Sequence, residues 1–336
     1  MLNEQEKNNF TNSISEVLKF LNSRSQDIVS RRFGLKTGNI ETLESIGKKY
    51  KITRERVRQI EEAALRELRK NFETFNLKDQ VSKIKTILSS YGNTAREDFL
   101  FHEFSGTQGY NKVNAALAFL MTISNNFEYH PEDEAHFSTW TVKDPFYFER
   151  AKETAEKLIQ NFKKQNSVIS ESELVPFFNK ASQENITDRK IILSYLNLSK
   201  LIGKNSFDQW GLTHWPEIRP KGIKDKAYLV LKMATKPIHF REIATLINGH
   251  RFDSKKANFQ TVHNELIKDK RFVLVGRGLY ALSEWGFEAG TVKDVLINLL
   301  KKHGPMAREK IIAKTSEVRF VKPNTILLNL QDKRLF

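Results

Sequence analysis

A cluster of polar side chains with base-reading chemistry lies at the beginning of one predicted helix. Arg bonds both acceptors of guanine, Gln both polar positions of adenine, and Glu accepts from the amino group of cytosine. The cluster begins directly after Thr53 and falls on one helical face, where it is predicted to read bases in a DNA major groove. Its members are Arg54, Glu55, Arg58 and Gln59.

A helix-turn-helix over residues 41–70 must position this cluster. Thr42 and Thr53 are the expected N-caps of its two helices, because threonine hydroxyls accept hydrogen bonds from the first free backbone amides. Ile52 is expected to anchor the turn. The expected inward faces, which recur at three- and four-residue steps, are Leu43, Ile46 and Tyr50 in the first helix and Val57, Ile60, Ala64 and Leu68 in the second.

Further cations on the flanking elements are candidates for binding DNA phosphates, which fixes register without reading sequence. An ordinary solvated face of paired charges would show the same composition, and the pattern alone does not separate the two interpretations. The phosphate candidates are Arg31, Arg32, Lys36, Lys48, Lys49, Lys51 and the Thr53 hydroxyl.

The overall charge favours a polyanionic partner. The chain has 336 residues, with 55 Lys and Arg against 40 Asp and Glu, and a net charge of +15. Such a balance suits nucleic acid or an anionic membrane surface. The N-terminal segment MLNEQEKNNF lacks the apolar core of a signal peptide, and the longest apolar run, residues 115–123, is too short to span a membrane. We therefore expect a cytoplasmic protein with no membrane partner.

The composition also limits the chemistry. The chain has no cysteine, which excludes disulfides and thiolate metal sites. Its eight histidines show no metal-ligand spacing, and the sequence offers no catalytic constellation. We expect no enzyme activity, no metal, no cofactor and no small-molecule substrate.

After residue 77 one pattern recurs about every seventy residues: three helices followed by a hydrophobic ribbon ending near a tryptophan. It is clearest in the third copy, where two β-prone runs meet at the wing turn of residues 276–278. The predicted fold is mainly α, a helix-turn-helix domain followed by an array of winged-helix domains with small β-hairpin wings. The predicted domains are 1–76, 77–143, 144–219, 220–288 and a partial repeat, 289–336.

The third helix or the wing of each copy is a possible DNA contact, and docking of proteins is the equally open alternative. The recurring tryptophans, Trp140, Trp210 and Trp285, are expected to pack in the cores at equivalent wing ends. The candidate contacts in the third copy are Lys255, Lys256, Lys268, Lys270, Arg271 and Arg277.

Three strings resemble region 4 of the sigma-70 family: RRFGL at residues 31–35, TLESIG at 42–47 and TRERVRQIEEAALRELR at 53–69. In that family the positions matching the four base-reading candidates face the bases of the upstream, minus-thirty-five promoter element. The family's domain also docks on the flap of the polymerase beta subunit. The resemblance thus implies double-stranded promoter DNA and bacterial RNA polymerase core as partners. Only some forty residues precede the motif, where sigma factors carry the aromatic-rich region 2, so we expect no promoter melting.

Residues 237–286 resemble the HARE-HTH winged-helix module, a family that includes the delta subunit of bacterial RNA polymerase. The resemblance rests on TVHNEL at residues 261–266 and GRGLYAL at 276–282. It implies association with transcription or DNA without a defined mechanism.

Three functional hypotheses follow. The first is a sigma-like DNA-binding transcription factor that recognises a promoter element and associates with RNA polymerase. The second is a polymerase-bound interaction protein whose helix-turn-helix contacts only protein. The third is a DNA-targeting subunit of a modification or restriction system, which would copurify with an enzyme chain.

Overall fold

The computed structural model describes residues 1–250, 252–287 and 290–331. The chain is mainly helical with small antiparallel sheets, and it contains helix-turn-helix and winged-helix domains, which confirms the predicted fold class. It divides into two compact units, Met1–Gly203 and Lys204–Phe336. Each unit is described by itself.

Four helices open the first unit, and capping residues define their ends. Asn3 and Asn22 cap the first two helices with side-chain oxygens, and Gly34 ends the second in the left-handed conformation at φ 70°. Thr42 and Thr53 cap the next two, as predicted. The helices are α1 (Glu4–Leu18), α2 (Ser23–Phe33), α3 (Leu43–Tyr50) and α4 (Arg54–Lys70).

A winged-helix arrangement follows, which we call the first winged module. Its three strands form an antiparallel sheet in the order β1-β3-β2. The register pairs Ala95 with Trp140 and Tyr129 with Trp140 across the central strand. Its elements are α5 (Lys78–Ser89), β1 (Thr94–Arg96), α6 (Glu97–Ser105), α7 (Lys112–Ile123), β2 (Phe127–His130) and β3 (Thr139–Val142).

The helix-turn-helix region and the first winged module share one hydrophobic core. Helix α7 is apolar on all sides and packs against α1, α2, α4 and α6. Phe119 of α7 meets Phe33 of α2 edge to face, with ring centroids 5.2 Å apart. Arg69 at the end of α4 donates from Nε to the Thr122 carbonyl, 3.0 Å away. The core therefore fixes α4 to the module that follows it.

The rest of the first unit repeats the helical part of the pattern. Phe162 and Phe177 pack their rings at 4.4 Å between the first two helices of this repeat. Two short strands follow the third helix, where the second wing was expected; the boundary between the units falls in the first strand, and the second strand belongs to the second unit. The elements of the repeat are α8 (Pro145–Gln165), α9 (Leu174–Ser182) and α10 (Arg189–Leu198), and the strands are β4 (Ile202–Lys204) and β5 (Trp210–Leu212).

The second unit contains the third winged module, with a sheet in the order β6-β8-β7, the same order as in the first winged module. Its wing turns at Gly278, at φ 72°. There a side chain would also meet the His239 ring, since a Cβ would lie 2.5 Å from Nε2. The elements are α11 (Ile223–Ala234), β6 (Ile238–His239), α12 (Phe240–His250), α13 (Phe259–Lys268), β7 (Phe272–Gly276) and β8 (Leu279–Leu282).

Three further helices occupy the region of the predicted partial repeat: α14 (Val292–His303), α15 (Arg308–Val318) and α16 (Pro323–Leu330). The two compact units are coarser than the five predicted domains, whose boundaries stay a prediction. Residues 251, 288, 289 and 332–336 of the last two predicted domains lie outside the described residues.

The tryptophans are only partly equivalent. Trp140 and Trp210 lie in strands and are each 3% exposed, whereas Trp285 lies in a 3-10 turn after β8. In the third winged module Tyr280, which pairs with Ile238, occupies the position of Trp140. The indole of Trp140 donates to the buried Glu97 carboxylate at 3.0 Å, and burial raises the pKa of that carboxyl. Trp140 and Trp210 are therefore buried, as predicted, and Trp285 packs partly buried against two cores of its module. The predicted equivalence of Trp285 to the strand tryptophans was wrong, because it follows the strand.

Across the parts of the chain that the structure describes, no helix combines the length and the apolar character needed to cross a membrane. Residues 115–123, the longest apolar run, lie within α7 in the core.

Candidate nucleic-acid interface

The turn between α3 and α4 depends on a close backbone approach at Gly47. The Ile52 amide donates to the Gly47 carbonyl at 3.0 Å. A Cβ at Gly47 would lie 2.8 Å from the Ile52 carbonyl oxygen, closer than real Cβ atoms come to other atoms. Lys51 closes α3 in the left-handed conformation at φ 53°. This geometry sets the angle at which α4 leaves the turn.

Helix α4 is held at both ends of its inward face. Val57 packs with Ile28 and Ile46 in a small core beneath the turn. Ala64 and Leu68 enter the large core shared with the first winged module. The predicted stripe is thus confirmed, with Val57, Ala64 and Leu68 fully buried and Ile60 half-buried. Helix α4 cannot rotate without breaking both cores.

The opposite face of α4 is exposed, and it brings the four base-reading candidates together at the beginning of the helix. The side chains of Arg58 and Glu55 are 47% and 57% exposed. The Thr53 hydroxyl caps the helix by accepting a hydrogen bond from the Arg56 amide at 3.1 Å. The exposed members are Arg54, Glu55, Arg58 and Gln59.

Hydrogen bonds within this face hold its side chains in register. Arg58 donates to Glu55 from Nε at 2.9 Å and from a terminal nitrogen at 2.7 Å, and it also bonds Glu62. Gln59 accepts from Arg56 at 3.1 Å. The hydrogen bonds with Glu55 raise the pKa of Arg58, and those from Arg58 lower the pKa of Glu55. Because these pairs are exposed to water, exchanging them for base contacts costs little.

The predicted phosphate contacts differ in availability. Arg31 bonds Asp27 at 2.6 Å and Glu41 at 2.7 Å, and Arg32 bonds Glu61 at 3.1 Å and the Glu41 carbonyl at 2.7 Å. Both arginine side chains are only 25% exposed. They tie α2 to its neighbours, so their guanidinium groups are largely occupied.

The lysines among these candidates are more open. Lys36 and Lys48 are exposed and pair with Asp27 at 3.3 Å and Glu44 at 3.0 Å. Lys49 and Lys51 are exposed and have no ion-pair partner within the described residues. Lys49 and Lys51 are therefore the best placed of the set to take a phosphate.

Sequence reasoning missed Asp27, which organises this corner of the domain. Its carboxylate accepts from the Tyr50 hydroxyl and from Arg31 Nε, both at 2.6 Å, and from Lys36 Nζ. Burial by itself raises the pKa of Asp27, but the hydrogen bonds from Tyr50, Arg31 and Lys36 outweigh it, and the net pKa is well below the usual range. The four-residue spacing of Asp27 and Arg31 was the available signal.

The third helix of the first winged module is unavailable to DNA. In α7 every residue from Asn114 to Met121 is buried. The wing loop between β2 and β3 is acidic, and backbone hydrogen bonds join it to the end of α10 and the residues that follow. The Phe137 amide donates to the Leu198 carbonyl at 3.0 Å, and the Lys200 amide donates to the Ala135 carbonyl at 2.7 Å. The general expectation that the third helix of each copy could touch DNA was therefore wrong for α7.

In the third winged module α13 is exposed along one side. Arg271 is committed to Asp269 at 2.7 Å and Asp225 at 2.9 Å, and these bonds hold the start of β7 against α11. The remaining candidates of this module are exposed: Lys255, Lys256, Lys268, Lys270 and Arg277.

Comparison with known proteins concerns the beginning of the chain. Residues 17–70 match the family described as Sigma-70, region 4, which confirms that part of the resemblance. Over 56 residues the chain is 46% identical to RNA polymerase sigma factor SigA of Lactococcus lactis subsp. cremoris, covering 17% of this chain and 15% of that protein. Over 66 residues it is 46% identical to RNA polymerase sigma factor SigA of Microcystis aeruginosa, covering 20% of this chain and 16% of that protein.

The chain therefore spans less than a fifth of the length of these sigma factors. The similarity describes the segment around α2, α3 and α4 and not the remainder. The resemblance of residues 237–286 to the HARE-HTH module stays a prediction.

Proposed function

We propose that this protein is a sigma-like DNA-binding transcription factor that recognises a minus-thirty-five-type promoter element through α3 and α4. One observation carries the proposal: the exposed face at the beginning of α4 holds Arg54, Glu55, Arg58 and Gln59 together, within the segment that matches sigma-70 region 4. These side chains suit the donors and acceptors of a major groove.

The packing of α4 in two hydrophobic cores supports this role. Base recognition needs side chains held at a fixed height above the groove, and rigid supporting elements provide that precision. Val57 and Leu68 anchor the two ends of the helix in separate cores. The Arg58 and Glu55 pair then presents its donors and acceptors in a defined arrangement before DNA arrives.

Association with bacterial RNA polymerase core is the second part of the proposal. The relatives of residues 17–70 are RNA polymerase sigma factors, and region 4 in that family docks on the beta flap. The resemblance of the third winged module to the delta subunit points to the same machinery. In this role the chain acts by binding alone, without covalent chemistry or a cofactor.

The test is selection of bound duplexes from a random DNA pool, with and without core polymerase, at a stated salt concentration. We expect one enriched motif for the wild type. Arg58→Ala and Gln59→Ala should each relax the preference at one or two base pairs. Lys70→Ala is the matched control, because Lys70 is an exposed cation at the far end of the same helix.

Two outcomes separate the alternatives. Affinity for polymerase without any enriched motif would favour an interaction protein whose helix-turn-helix contacts only protein. Copurification with a modification or restriction enzyme, together with an enriched motif, would favour a DNA-targeting subunit.

A further inference from the structure

Positive charge is concentrated in the second unit. Residues 204–336 contain 25 Lys and Arg against 13 Asp and Glu, which accounts for +12 of the net charge of +15. Residues 77–203 contain 15 against 16 and are almost neutral. Of the two winged modules that share a sheet order, one therefore lies in an almost neutral part of the chain and the other in a strongly basic part.

Within this basic unit one exposed edge of α13 carries apolar side chains, beside exposed polar residues such as Gln260 and Asn264. Phe259, His263 and Ile267 are four residues apart and follow one edge of the helix. Phe259 is 46% exposed and Ile267 is 63% exposed. In α7, the corresponding helix, the apolar side chains are buried against other helices. Among the described residues, the apolar edge of α13 has no such cover.

Neighbouring elements extend this edge into a patch. The Phe240 ring lies 4.5 Å from the His263 ring and 6.4 Å from the Phe259 ring. Leu274 of β7 is 41% exposed and pairs across the sheet with Tyr280, whose ring contacts His263 at 5.9 Å. We call this surface the α13 patch: Phe240, Phe259, His263, Ile267 and Leu274.

Cations border the α13 patch. The Arg241 guanidinium lies 5.3 Å from the centre of the Phe259 ring, at one end of the helix. Lys268 and Lys270 follow Ile267 at the other end, and Arg277 occupies the wing turn. All four are exposed, and none has an acidic partner within the described part of the chain. The border therefore complements negative charge.

We propose that the α13 patch docks a protein segment that is acidic and amphipathic, with apolar side chains on one face and carboxylates flanking them. Apolar anchors at four-residue spacing suit a helix or strand laid along α13, and the bordering cations suit its carboxylates. DNA fits less well, because base edges and phosphates set against Phe259 and Ile267 would lose water without gaining hydrogen-bond partners. The cations predicted as phosphate contacts then serve to orient this protein partner.

The test uses the full chain and a fluorescent synthetic peptide of about 20 residues, with Leu on one helical face and Glu on the other. A peptide of the same composition in scrambled order and a random-sequence duplex of the same net charge are the comparison probes. We expect the amphipathic peptide to bind at least about tenfold more tightly than the scrambled peptide, with affinity that falls as salt rises.

Two variants locate the site. Ile267→Ala should weaken peptide binding about threefold. The double variant Phe259→Ala with Ile267→Ala should weaken it about tenfold or more. Met233→Ala is the matched control, because Met233 is 43% exposed on α11. Lys268→Gln should weaken binding and flatten its salt dependence, whereas Lys301→Gln should not. Since Ile267 is largely exposed, its replacement leaves the thermal unfolding midpoint unchanged.

Equal binding of the scrambled peptide would overturn the proposal, as would patch variants that bind the amphipathic peptide normally. Patch variants that lose affinity for the duplex instead would identify α13 as a nucleic-acid surface. None of these variants alters α4, so motif selection by α4 succeeds or fails independently.

Discussion

Helices α4 and α13 both follow a turn, bury one face and expose the other, yet only α13 exposes a line of apolar side chains. The exposed face of α4 presents Arg58 and Glu55 joined by hydrogen bonds. The exposed edge of α13 presents Phe259 and Ile267. The difference shows that a shared helical scaffold fixes where a surface lies, whereas the outward residues decide whether it suits base edges or an apolar partner.

The most disruptive change should be at the turn that positions α4. Gly47→Ala places a Cβ against the Ile52 carbonyl, and we expect a loss of about 2–3 kcal/mol in the free energy of unfolding. Gly249→Ala is the matched control in α12, since its Cβ meets open space and alanine favours a helix. Thermal unfolding measures both. Equal effects of the two substitutions would show that the close approach at Gly47 does not constrain the turn.

A crossed pair of substitutions sharpens the comparison of the two surfaces. Arg58→Ala should weaken binding of the selected duplex roughly 10- to 30-fold, because one bidentate base contact is lost, and should leave binding of the acidic peptide unchanged. Ile267→Ala should weaken binding of the acidic peptide and leave binding of the selected duplex unchanged. Fluorescence anisotropy with both probes measures all four values. If both variants weakened both probes alike, the two surfaces would not have separate partners.

Asp27→Asn should cost about 1–2 kcal/mol of stability, because the hydrogen bonds from Tyr50 and Arg31 lose their charged acceptor. Since the folded state lowers the pKa of Asp27, the stabilisation is complete above about pH 4, the unfolded value, and declines as pH falls below it. The stability difference between wild type and variant should therefore shrink as pH falls from about 4 to about 3.

Glu73→Gln is the control for that experiment, because its carboxylate is 79% exposed and forms an exposed ion pair with Lys78 at 3.3 Å. A stability difference between wild type and Asp27→Asn that stayed constant down to pH 3 would show that Asp27 is not held in its charged form by these neighbours.

The smallest change in DNA affinity is expected at Lys49, which is proposed to contact a phosphate and not a base. Lys49→Ala should weaken binding of every duplex about two- to threefold and reduce the slope of log affinity against log salt by about one. Its effect on the choice of base pairs should be nil. A changed motif after Lys49→Ala would mean that Lys49 reads a base and does not simply hold a phosphate.

Local signals predicted much of the fold. The residue types of Thr42 and Thr53 predicted the two N-caps, and the spacing of Val57, Ala64 and Leu68 predicted the buried face of α4. The wing turn at Gly278 followed from its residue type. These features depend on residues close together in the chain, where propensity and spacing are decisive.

The missed features depend on contacts between distant segments. The availability of Arg31 and Arg32 was decided by Glu41 and Glu61, which lie ten and 29 residues away in sequence. The burial of α7 came from packing against α1, α2 and α4, although a helix that is apolar on all sides was itself a signal for burial. Periodicity identifies an inward face but does not say what covers the opposite one.

Whether Arg58 reads a base pair can be measured with a double-mutant cycle between this side chain and the base pairs of the selected duplex. The affinities of wild type and Arg58→Ala are measured for the selected duplex and for duplexes changed at single base pairs. We predict that the variant loses discrimination at one base pair and keeps it at the others. If the variant discriminated at every position as the wild type does, α4 would not be the reading helix.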